Sequence, residues 1–148
     1  IAEHVFTVSS ADFMAIYAAN NLFSGIQKYS KSGGALLGGL IANSINAPYA
    51  KEIIDDFVQK THTQVIEYIP RSITVTQSEL QGKTTVELAP ESEQAQIYRS
   101  RALKIAEHSE SKTPSPLGIQ ELRDWASRWA DYLLAYETGE VRSEASGI

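Results

Sequence analysis

The chain has 148 residues, 43% apolar and 21% charged, with 18 acidic against 13 basic side chains and no cysteine. That length suits one domain with an ordinary core, and the composition is not that of a disordered chain. No apolar run approaches the ~18 residues of a membrane span. The acidic balance, without a basic block, argues against nucleic acid as a partner. Lack of cysteine removes disulfides, thiolate catalysis and cysteine-ligated clusters from this chain, and a cytoplasmic location is the easiest to reconcile with it.

The opening Ile1-Ala2-Glu3-His4 lacks the basic start and apolar stretch of a signal peptide. It runs almost directly into a strand-like segment, as expected of the middle of a domain. His4 to Ser9 is β-branched and reads as a buried strand. Ser9-Ser10-Ala11-Asp12 supplies a helix start. Met14, Tyr17, Ala18, Leu22, Ile26 and Tyr29 then recur at helical spacing, which predicts an amphipathic helix to about Ser30, stopped by Gly33-Gly34. Leu36 to Ala42 reads as a second strand, whose Gly38-Gly39 pair implies close approach of another backbone or a ligand.

Pro48 fits the first turn of a second helix, buried through Ile53, Ile54, Phe57 and Val58. Val65 to Ile69 is the third strand, closed by Pro70. The order β-α-β-α-β favours parallel strands with helices packed on the sheet. Ser72 to Leu80 suits a short helix, although Thr74, Val75 and Thr76 weaken it. Thr84 to Leu88 reads as a brief extended stretch, and Pro90 to Glu107 as a helix with acids in its first turn. Ser109 to Gly118 is a loop. Leu122, Trp125, Ala126, Trp129, Tyr132, Leu133 and Tyr136 share one stripe of a last helix, before a polar tail from Gly139 that is expected to fray. Three strands are few for a doubly wound domain. The chain is therefore expected to be the C-terminal half of a larger domain, or to pair its open edge with another chain.

Ligands of open α/β sheets bind beyond the carboxyl ends of the strands. Ser9-Ser10, Asn43-Ser44 and Pro70-Arg71-Ser72 occupy those ends. The Asn43 amide offers the donor and acceptor that a purine edge requires, or it simply initiates a loop. Arg71 could hold a phosphate or carboxylate, or form a surface ion pair. His4, His62 and His108 are scattered without metal-ligand spacing. Asp55-Asp56 and Glu91/Glu93 read as solvated helix faces. There is no Gly-rich loop ending in Lys-Ser/Thr and no nucleophile elbow. Trp125 and Trp129 read as a packed face rather than a stacking platform for bases.

Longer strings carry more. Phe13 to Asn21, Gly25 to Tyr29, Ser32-Gly33-Gly34 and Leu37 to Ser44 resemble the nitrogenase iron protein family. Tyr68-Ile69-Pro70-Arg71, Glu79, Lys83 to Glu87, Gln94-Ala95 and Tyr98-Arg99 continue the likeness in order and spacing, over roughly residues 3 to 107. The Tyr-Ala-Ala-Asn-Asn and Leu-Gly-Gly-Leu-Ile-x-Asn-Ser strings are its specific parts. Ala42 stands where that family commonly has a non-ligand Cys, and Ser72 where an Asp is usual. Thr76 replaces a Gln, Ile45 replaces an Arg, and the chain from Thr113 onward does not follow the typical tail.

The resemblance implies part of a P-loop NTPase-type, mostly parallel α/β sheet flanked by helices, with extra C-terminal helices. Residues 1–112 would be the C-terminal half of the nucleotide-binding domain, and 113–148 a C-terminal helix and tail. It implies a parent homodimer that uses ATP/ADP with Mg and a shared [4Fe–4S] cluster to reduce a larger catalytic partner. The phosphate loop and cluster cysteines would lie in a missing N-terminal half, leaving this piece inactive alone. The nucleotide pocket in this half would comprise Asn43, Pro70, Arg71, Glu79, Gln94 and Tyr98. The departures leave room for a reductase of another substrate. A non-catalytic binding or dimerisation module, or a partitioning-type ATPase, are the rival readings.

Overall fold

The computed structural model describes residues 3–139; the tail beyond Gly139, expected above to fray, lies outside the described residues. Three strands alternate with helices: β1 (His4–Ser9), α1 (Phe13–Ser30), β2 (Leu36–Ile45), α2 (Pro48–Lys60) and β3 (Val65–Pro70). They are followed by α3 (Ile73–Leu80), α4 (Thr85–Leu88), α5 (Glu93–Glu107) and α6 (Ile119–Thr138). The sheet order is β1-β2-β3 and both pairings are parallel. Successive crossovers of one hand in a sheet that grows in one direction put α1 and α2 on the same face. There the Phe23 and Phe57 rings stack at 5.7 Å. Trp125 of α6 meets Phe57 at 5.8 Å and joins the same core.

Period-two alternation along β3 sends Tyr68 towards α2 and Glu67 to the opposite face. On that face Glu67, nearly buried, holds α5: Lys104 Nζ donates to its Oε2 at 2.6 Å, and Arg101 Nε lies 3.1 Å from Oε1. The Arg101 N–H is poorly aligned for a hydrogen bond, so that contact is electrostatic. Opposite it, the Tyr68 hydroxyl donates to Asp55, which Lys51 also pairs with at 2.5 Å. Burial, and then the hydrogen bond to Asp55, raises the Tyr68 phenol above its ordinary pKa.

Several local expectations are corrected. The buried stripe of α1 is Ile16, Ala19, Asn20 and Phe23, whereas Met14, Leu22 and Tyr29 are mostly exposed. The helix is apolar on more than one side, so periodicity could not tell which side meets the sheet. Its N-cap is Asp12, whose Oδ1 accepts from the Ala15 amide at 3.0 Å. β2 continues to Ile45, three residues past its predicted end. The predicted extended stretch at Thr84 to Leu88 is instead a single helical turn. Its cause is a capping box in which the Thr84 amide donates to Glu87 and the Glu87 amide to Thr84 Oγ1.

The close approach at Gly38-Gly39, at a bulge opposite Val5/Phe6, is that of the Phe6 ring on Gly38 and of Ile66 together with the Gln64 backbone carbonyl on Gly39. A neighbouring backbone thus takes part as expected, and side chains come closer still. Asp55 and Asp56 are not merely solvated: Asp55 binds Tyr68, and Asp56 accepts from both tryptophans. The 109–118 loop is tied down at Lys112, Ser115 and Leu117. Lys112 bridges Leu37 through two backbone hydrogen bonds of 2.9 Å, and the Ser115 amide donates to Thr61 at 2.8 Å. Asn20 clasps Leu117 by both of its backbone groups.

Candidate functional site

The three strand-end segments meet. A cavity of about 620 Å³ opens at the carboxyl ends of the sheet and is lined by Ser10 and Asp12 after β1, Asn43 and Ser44 on β2, and Pro70, Arg71 and Ser72 after β3. Parallel strands bring their ends to one edge, and the loops that leave them diverge around a crevice. The Arg71 amide donates to Ile45 O at 3.1 Å, which fastens the loop after β3 to the end of β2. Ser44 has φ +57°, a left-handed residue within β2 where the β2–β3 register shifts between Ala42 and Ile45. Val75, Thr76 and Glu79 arrive from α3, and Tyr98 from α5. Tyr49, Ala50 and Ile53 of α2 and Leu133 of α6 supply a more apolar lining.

Of the six residues assigned above, Asn43, Pro70, Arg71, Glu79 and Tyr98 line this cavity, and Gln94 does not. Gln94 is 4% exposed, and its Nε2 makes no hydrogen bond. One helical turn separates it from Tyr98, which is half-buried at the rim. The Arg71 guanidinium is exposed and takes part in no ion pair among the described residues, so its fork remains available to an anion. Sequence reasoning missed Asp12, Asn46, Tyr49, Val75 and Leu133. The strand-end rule reaches Ser10 and could have been carried two residues on to Asp12; nothing local in the sequence marks Leu133.

Asp12 is the acidic group at the β1 side of the cavity. The Ser10 hydroxyl and then the Ala15 amide hydrogen-bond its carboxylate and hold it below the usual 3.8. A carboxyl lowered on folding adds stability above its unfolded value and loses it as pH falls through the folded one. Wild type should therefore exceed Asp12→Asn in urea midpoint near neutrality. The gap should close below about pH 3.8; a gap that persists in acid would contradict the assigned ionisation.

Among the described residues, no group of three or more His, Cys, Asp or Glu stands together as a metal site. With no cysteine, the chain offers no thiolate for an iron–sulfur cluster. Its residues therefore do not fit that group. Among the described residues no helix is long and apolar enough to cross a membrane.

The architecture is a three-stranded parallel α/β sheet flanked by helices. It superposes on the cell division ATPase MinD of Pyrococcus furiosus with a TM-score of 0.52 at 17% identity, over 73% of this chain and 44% of that one. Residues 1–131 match the model for 4Fe-4S iron sulfur cluster binding proteins of the NifH/frxC family, and the chain belongs to that family. It is 69% identical over 147 residues to nitrogenase iron protein 2 of Paenibacillus durus, covering 99% of this chain and 50% of that protein. It is 41% identical over 121 residues to nitrogenase iron protein 2 of Rhodobacter capsulatus, covering 82% of this chain and 44% of that protein. The chain thus spans about half the length of the curated relatives it matches.

Proposed function

We propose that this chain is the C-terminal half of an ATP-dependent, nitrogenase-type reductase and that the strand-end cavity receives the base side of an adenosine nucleotide. The observation that carries the reading is the convergence of Asn43, Pro70, Arg71, Glu79 and Tyr98 on one crevice. Asn43 offers a donor and an acceptor for a purine edge, Tyr98 a ring, and Arg71 a charge for phosphate. Gln94, one turn before Tyr98 on α5 and with an unpartnered Nε2, stays assigned to the nucleotide pocket of the whole protein. Residues 1–112 form the nucleotide-binding portion in this reading, and 113–148 the C-terminal helix and tail.

The remaining chemistry falls to an N-terminal half. β1 pairs only with β2 among the described strands, and Val8 on it is 61% exposed. An open parallel edge of this kind is suited to further strands. That half would bring the phosphate loop, the Mg site and the cysteines, with the cluster shared in a cytoplasmic homodimer that reduces a larger catalytic component. The piece alone would neither hydrolyse ATP nor hold iron. The high identity to a nitrogenase iron protein favours a dinitrogen system, and the departures at Ala42, Ser72, Thr76 and Ile45 keep another reducible substrate as the alternative.

Titration of the full-length protein with a fluorescent ATP analogue tests the pocket. Asn43→Ala combined with Tyr98→Ala removes an amide pair and a ring, together about 2 kcal/mol, or roughly a thirtyfold rise in Kd. Unchanged affinity would refute the assignment.

A further inference from the structure

We propose that α6 forms a wall of the nucleotide cavity through Leu133, and that Asp56 is the positioning residue that sets it there; this rests on the nucleotide reading above. Trp125, Trp129 and Leu133 follow one another at four-residue spacing and so share a stripe of α6. The indole N–H groups of Trp125 and Trp129 both donate to the same oxygen, Asp56 Oδ2, at 2.7 and 2.9 Å. Donors from consecutive turns that converge on one carboxylate oxygen restrict both sliding and rotation of α6 against α2. Hydrogen bonds to an ionised acceptor are also the stronger kind.

The registry then follows from the two chain directions. On α6 the stripe advances one turn from Trp129 to Leu133. On α2 the facing residues step back from Asp56 to Ile53, Ala50 and Tyr49, so the helices run antiparallel. Leu133 and the α2 residues Tyr49, Ala50 and Ile53 line the same cavity. Leu133 is half-buried and packs on the core beside Trp129. The wall gives the nonpolar part of the ligand an apolar surface.

The full-length protein, titrated with a fluorescent ATP analogue, separates this from the parent reading. Leu133→Ala strips part of the wall and should raise Kd about fivefold. Asp56→Ala should raise Kd similarly by freeing α6, and Asp56→Asn, which keeps an acceptor oxygen, should restore most of the affinity. A purely structural Asp56 would shift the midpoint and leave Kd alone. If Asn43→Ala with Tyr98→Ala weakens binding but Leu133→Ala and Asp56→Ala bind like wild type, the wall is refuted and the pocket stands. If the double variant has no effect, the nucleotide reading fails and the wall with it. Should Asp56→Ala not fold, Leu133→Ala alone decides.

Discussion

Asn20→Ala should lower the stability of the full-length protein by about 2 to 4 kcal/mol, with loss of the α6 docking. Asn20 lies on the buried face of α1, 4% exposed. Its Nδ2 donates to Leu117 O and its Oδ1 accepts from the Leu117 amide, both at 2.8 Å. Alanine leaves that donor and acceptor without partners beside a closed core, and each orphaned buried group costs about 1 to 3 kcal/mol. Leu117 immediately precedes the turn into α6, and Leu122 and Trp125 depend on that approach. Asn20→Asp should be at least as damaging, because a carboxylate offers no donor to Leu117 O. Urea unfolding gives the magnitude, and fluorescence of Trp125 and Trp129 reports α6. A shift below about 0.5 kcal/mol, the usual range for a surface substitution, would show that the clasp contributes little.

Gly39→Ala should be the most damaging single substitution in the sheet. A Cβ at Gly39 would sit 2.4 Å from Ile66 Cγ1, 2.5 Å from its Cδ1 and 3.1 Å from the Gln64 carbonyl oxygen. The residue also has φ +151°, a conformation that L side chains rarely adopt. Overpacking costs about 1 to 3 kcal/mol, and a strained backbone about the same again. Gly39→Ala should therefore cost roughly 3 kcal/mol or more and reduce soluble yield. Gly38→Ala is the informative comparison. Its Cβ would approach the Phe6 ring at 2.7 Å, but that ring is half-buried on the edge strand and can turn aside. Equal losses at the two glycines, or a tolerated Gly39→Ala, would contradict the bulge geometry.

These two positions mark different limits of local reading. Asn20 belongs to the Tyr-Ala-Ala-Asn-Asn string that carried the resemblance, yet its partner lies 97 residues away. Gly39 announced a close approach without saying to what. Similarly, Asp56 looked like one more acid on a wet helix. It became the common acceptor of two indoles 69 and 73 residues further on. Thr84 to Leu88 misled for another reason: β-branched residues suggested a strand, and a reciprocal capping box outweighed that propensity over one turn.

Short-range pattern was sufficient for the β-α-β-α-β order and for finding the three strand ends. Strand and helix periods, a proline at a helix start and glycines at a stop act over a few neighbouring residues, and that information is in the string itself. Folding had to supply the buried stripe of α1, the occupants of the Gly38-Gly39 gap, the separation of Gln94 from the cavity and the arrival of Leu133 there. Each of these rests on a contact between segments far apart in the chain, and no local period encodes which partner a side chain will meet.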